Sequence, residues 1–160
     1  MFSLYFTSPT WGMMSLQQIK DNIQAYLNED AQAPYKVVIG TDSHTHYDQT
    51  VFVTALVIHR VGKGARFFFR KSRNKPLLDL RHRIYRETEL SLDVIEKLKE
   101  NGLLDLVTDW PFEIHVDIGR NGETRKLIHE IVGWIQAVGY VAKIKPDSFG
   151  ANSVADRYTG

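Results

Sequence analysis

Tyr35-Lys36-Val37-Val38-Ile39-Gly40-Thr41-Asp42-Ser43-His44 carries a short β-branched run straight into a carboxylate, a hydroxyl and an imidazole. Bounded by Gly40, Val37-Val38-Ile39 reads as a strand buried on both faces. An unpaired carboxylate at the rim of a core is costly to desolvate. Asp42 at the end of that strand therefore calls for a metal ion, an arginine or a turn to answer it. On this stretch alone the turn stands beside the ligand: in an Asx-turn, Asp42 and Ser43 would bond their own backbone as the strand ends.

Downstream, His44, His46, Tyr47 and Asp48 form a polar hairpin region, and residues 51–58 (VFVTALVI) predict a second strand rich in β-branched and aromatic side chains. Gly62-Lys63-Gly64 supplies turn chemistry before a third strand at 66–70, and such short polar turns imply an antiparallel meander. After Pro76 the spacing predicts a long helix over 77–101, closed by Gly102. Leu80, Ile84, Ser91, Ile95 and Leu98 fall on one stripe, with Glu87 at its edge and Glu89 pointing away into solvent.

Residues 111–119 form a fourth predicted strand, with Ile114, Val116 and Ile118 on one face and Glu113, His115 and Asp117 on the other. Asn121-Gly122 turns the chain into a helix over 123–138, and residues 140–144 make a fifth strand. Residues 150–156 open a short helix of small residues with Asp156 about one turn in. Upstream, Ser15 caps an amphipathic helix bearing Leu16, Ile19, Ile23, Tyr26 and Leu27, and residues 2–12 read as an aromatic arm packed over the domain. The expected fold is α/β: a mixed five-stranded sheet, three antiparallel strands followed by helix-linked strands, flanked by helices and preceded by an extra N-terminal helix. Residues 1–34 would be an arm and helix packed on a single domain formed by residues 35–160.

A length of 160 residues suits one such domain. The chain has no cysteine, which excludes disulfides and thiolate metal sites. No apolar run is long enough to span a membrane, and the opening residues lack the basic flank of a signal peptide, so the cytoplasm is the expected compartment. The net charge is only +1, yet half of the 20 Lys and Arg residues fall between Arg60 and Arg86. The segment that follows turns acidic. A basic arm beside a carboxylate cluster suits phosphate binding near a metal, with Arg70, Lys71, Arg73 and Lys75 as candidate contacts; charge protecting a solvated strand edge is the alternative.

The element order and the placement of the acids resemble the ribonuclease H-like superfamily over about residues 35–158. Ile39-Gly40-Thr41-Asp42-Ser43, His115-Val116-Asp117-Ile118-Gly119, and Lys145-Pro146-Asp147-Ser148 with Ala155-Asp156 are similar to its YkuK-type branch of predicted bacterial nucleases. The resemblance implies acids on the first strand (Asp42), on the helix after the meander (Glu87), on the fourth strand (Asp117) and on the last helix (Asp156). Phosphodiester hydrolysis by two ions roughly 4 Å apart needs several convergent hard oxygen ligands, which acids from separate elements can supply. Asp42 would bridge two Mg2+ or Mn2+ ions, Glu87 and Asp117 would complete one site, and Asp156 would hold the second, with Asp147 as the alternative.

Ser43 and His44, just beyond Asp42, are candidate substrate contacts, as are Thr124 and Arg125 at the start of a helix whose N–H groups suit a phosphate. The expected function is a metal-dependent nuclease acting on RNA, an RNA–DNA hybrid or structured DNA. The rival is a nucleic-acid or protein-binding module that keeps the fold without catalysis. A phosphotransferase is disfavoured because no glycine-rich phosphate loop follows the first strand.

Overall fold

The meander is the centre of the molecule. The computed structural model describes residues 4–148, 154–155 and 158–159, and its longest strands are β3 (Tyr35–Thr45), β4 (Thr50–Arg60) and β5 (Ala65–Asn74). They pair antiparallel, β3 with β4 from Tyr35↔Arg60 to Thr45↔Thr50 and β4 with β5 from Thr50↔Asn74 to His59↔Ala65. Two later strands, β6 (Phe112–His115) and β7 (Val141–Lys143), are helix-linked and add in parallel, β6 on β3 and β7 on β6.

Five strands are expected from the sequence; among the described residues the sheet has seven, in the order β2-β1-β5-β4-β3-β6-β7. The extra pair is a hairpin of β1 (Tyr5–Ser8) and β2 (Gly12–Ser15), which joins the edge of β5 through Thr7↔Phe69. The N-terminal segment thus extends the sheet instead of lying over it as an arm. Gly12, at φ +73, supplies the left-handed backbone that the tight turn requires.

Alternation along the strands builds two apolar layers. Val37, Ile39, Leu56, Ile58 and Phe68 face α1 (Leu16–Glu29), α2 (Leu80–Asn101) and α3 (Ile128–Val138), which contribute Ile19, Ile23, Ile84, Ile95, Leu98, Ile131 and Ile135 to the same core. On the other face Val38, Val53, Ala55, Val57 and Phe69 pack with Val154 and Ala155 near the C-terminus. Val37-Val38-Ile39 is therefore buried on both faces, as its composition implies. Full burial of side chains such as Phe52, Leu56 and Phe68 stabilises the fold by about 1.5–3 kcal/mol each.

Local chemistry sets the helix boundaries. At the start of α1, Ser15 and Gln18 form a reciprocal capping box. The α2 helix begins at Leu80 rather than residue 77 because Asp79 caps the Arg81 N–H at 3.0 Å, and it ends at Gly102 in the left-handed conformation. Residues Glu123–Leu127 are a 3-10 turn, so α3 starts later than the helix expected over 123–138.

Candidate functional site

Asp42 does not end its strand. It pairs with Val53 in a ladder that runs on to Thr45, which sets aside the Asx-turn reading. The parallel registers then align a residue in the middle of β3 with the last residues of β6 and β7. Gly40 pairs with His115, and His115 with Lys143. Two residues beyond each of these come Asp42, Asp117 and Lys145. β6 stops at His115, so Asp117 sits just past the ladder, half-buried like Asp42.

Glu87 reaches the same end of the sheet from α2 and is buried, whereas Glu89 is exposed, in keeping with their places on the helical wheel. The Ser43 hydroxyl donates to Glu87 Oε2. A second tie fixes the spacing of strand and helix: Thr41 Oγ1 lies 2.9 Å from Thr54 Oγ1 and 2.8 Å from Ser91 Oγ, linking β3 to β4 and α2. Burial pushes the Glu87 carboxyl up to about 8, and the charges of Asp42 and Asp117 add to the rise. The Ser43 bond and the Arg83 charge offset only part of it. At neutral pH Glu87 is therefore mostly protonated.

Asp117 carries a partner that the sequence reading did not single out. Lys145 Nζ stands 2.8 Å from Asp117 Oδ1. That bond, with the charges of Asp117 and Asp42, holds the ammonium above the usual lysine range. Parallel pairing was the available signal: a residue just past one strand must lie level with a residue just past its neighbour.

Glu113 and His115, the other members of the polar face predicted for the fourth strand, find partners in each other. Glu113 Oε1 is 3.0 Å from His115 Nε2 and 3.5 Å from Lys36 Nζ. Burial drives the His115 imidazole below its ordinary value. The same burial would raise Glu113, but the His115 bond and the Lys36 charge outweigh it and hold the carboxyl low.

The candidate substrate contacts separate into groups. Exposed Lys71 and Arg73 line a cleft of about 220 Å3 with His46, Asp48, Tyr158 and Thr159, and Tyr158 stacks on Phe69 at 3.8 Å. Arg70 alternates to the other face, where its Nη1 donates to Tyr5 O at 3.3 Å. Lys75 is exposed just beyond β5. His44 is exposed and lies 4.6 Å, ring to ring, from His46. Thr124 Oγ1 accepts from Gly119 N at 3.1 Å, and exposed Arg125 lines a separate cleft beside α3. The basic stretch is thus not one arm: Arg60 and Arg66 lie over Tyr26, and Arg81 pairs with Glu130.

Of the four predicted metal ligands, Asp42, Glu87 and Asp117 come to one end of the sheet; Asp156 lies outside the described residues. Asp147, its alternative, is exposed. Among the described residues no group of three or more His, Asp or Glu side chains is arranged to hold a metal ion. Ser43 and Lys145 account for two of the acids, since each engages a carboxylate that a metal would need. The donor set nonetheless suits a hard divalent cation: it consists of carboxylates from three elements, and one of them already holds a cationic ammonium.

The family model described as "Ribonuclease H-like" matches residues 18–160. "Uncharacterized protein YkuK" of Bacillus subtilis (strain 168) is 36% identical over 168 residues, spanning 98% of this chain and 98% of its own. No solved structure matches.

Proposed function

The chain belongs to the ribonuclease H-like family, and on that footing we propose that it is a divalent-metal-dependent nuclease hydrolysing phosphodiester bonds in RNA, an RNA–DNA hybrid or structured DNA. The observation that carries this reading is that Asp42, within β3, and Asp117, just past β6, lie at matching places on adjacent parallel strands, with buried Glu87 close enough for both charges to raise its carboxyl. Asp42, Glu87 and Asp117 would hold Mg2+ or Mn2+, and Asp156 is proposed as the further ligand in preference to Asp147. Two ions are expected. Such ions supply Lewis-acid polarisation of a phosphoryl oxygen and a water acidic enough to deprotonate near neutral pH.

The chain's own residues have separate tasks in this scheme. Glu87 sheds its proton to become a ligand, and Ser43, bonded to it, fixes which way the carboxylate faces. The Thr41–Thr54–Ser91 hydroxyl contacts hold strand and helix at constant spacing while that happens. Lys71 and Arg73, with Lys75 nearby, would bind substrate phosphates on the sheet face opposite α2, with His44 beside them. Thr124 and Arg125 would form a second contact beyond β6.

Cleavage of end-labelled single-stranded RNA, single-stranded DNA, duplex DNA and RNA–DNA hybrid, with Mg2+ or Mn2+ and with a chelator, tests the proposal. Metal-dependent cleavage of at least one form is expected, falling about 100-fold or more in Asp42→Asn and in Asp117→Asn. No cleavage of any form, or cleavage undiminished in both variants, overturns it.

A further inference from the structure

Lys145 sits where a ligand-bound cation would be useful, and its placement is built in. Its backbone N–H donates to Ile118 O at 2.8 Å, which pins the start of the segment after β7 to the segment after β6. Its stem crosses Gly119: a side-chain carbon added there would come within 3.2 Å of Lys145 Cβ and 3.5 Å of Cδ, so the absence of a side chain clears the path to Asp117. Gly119 is fixed in turn by its N–H bond to Thr124 Oγ1 at 3.1 Å. The ammonium end, by contrast, is free to move, because the Lys145 side chain is 59% exposed and that of Asp117 is 38% exposed. An ion pair so open to water is weak and easily exchanged.

From this geometry we propose that Lys145 is a substrate-binding residue held in reserve: its ammonium occupies the Asp117 carboxylate in the metal-free protein, yields it to a divalent ion, and then contacts the substrate phosphate. The inference rests on reading Asp117 as a metal ligand. Charge favours the exchange, since a divalent ion attracts the Asp42 and Asp117 carboxylates more strongly than one ammonium does. Displacement leaves the lysine tethered at its backbone, within one side chain's length of the place where a phosphate would meet the metal. Lysine suits the task as a compact, mobile cation with three donors.

The experiment uses the full chain and two variants, Lys145→Met and Lys145→Arg. Calorimetric titration with Mn2+ alone comes first. Removing the competing ammonium in Lys145→Met is expected to tighten Mn2+ binding about two- to fivefold, the range that a weak surface ion pair allows, while Lys145→Arg stays near wild type. The second arm titrates inorganic phosphate at saturating Mn2+, where Lys145→Met is expected to bind about tenfold more weakly and Lys145→Arg to recover most of the loss. Unchanged or weaker Mn2+ binding in Lys145→Met, or unchanged phosphate binding, overturns the lysine proposal and leaves the metal reading standing. Absence of Mn2+ binding in wild type and variants alike overturns both.

Discussion

The Ser43 hydroxyl donates a hydrogen bond to Glu87 across a separation of 44 residues, joining the strand that carries Asp42 to the helix that faces it. Among the described residues, it is the hydrogen bond that favours the charged form of a carboxyl otherwise driven neutral by burial. Ser43→Ala should therefore raise the Glu87 titration further and cost about 1–2 kcal/mol of stability at alkaline pH. Carboxyl carbon NMR and urea denaturation measure the two effects; an unshifted titration would show that the bond does not govern Glu87.

Glu87 also makes stability depend on pH in a direction opposite to that of an ordinary paired carboxylate. Its ordinary value is 4.5 and its folded value about 8, so between these the folded protein binds more protons than the unfolded chain. The contribution is complete below about 4.5 and is lost as pH rises through about 8, amounting to at most about 4–5 kcal/mol. Glu87→Gln, which imitates the neutral acid, should flatten that slope. In the same window Mn2+ affinity of the wild type should rise with pH, since binding must expel the proton. Denaturant melts and Mn2+ titrations at pH 5, 7 and 9 read both, and a stability curve identical in wild type and Glu87→Gln would contradict the assignment.

The division of the basic stretch by strand alternation gives a sharper test than its charge alone. Lys71→Ala and Arg73→Ala should each reduce the slope of log affinity against log salt for a labelled oligonucleotide by about 1. Arg70→Ala should leave that slope unchanged, because its guanidinium bonds Tyr5 O on the other face. Fluorescence anisotropy across a salt series separates the three, and an equal effect of all three would place the nucleic acid elsewhere.

The choice of a further metal ligand has its own test. Asp156→Asn should weaken Mn2+ binding about tenfold or more, while Asp147→Asn, at an exposed position, should leave it within about twofold. The reverse ranking would transfer the role to Asp147.

Much of this architecture follows from patterns in the sequence, and the departures have physical causes. Period-two alternation with β-branched residues made the meander legible, and helical spacing separated buried Glu87 from exposed Glu89. The N-terminal hairpin was not legible because each strand has only four residues and Met13-Met14 carries little β-propensity; pairing with β5 decides it. Asp42 looked terminal because Gly40 resembles a stop, whereas the β4 partner carries the ladder to Thr45. The pairing of Lys145 with Asp117 was not legible because it depends on the register of β7 against β6, which no local pattern encodes. The basic stretch looked like one surface because a count of charges ignores the face on which each strand residue lies.

The most direct measurement is the anomalous scattering of Mn2+ in crystals soaked with the metal. Mn2+ is expected to be bound by Asp42 and Asp117, with Glu87 turned toward it and Lys145 displaced from Asp117. Crystals in which Mn2+ is absent from these carboxylates, with Lys145 still paired to Asp117 at saturating metal, would contradict it.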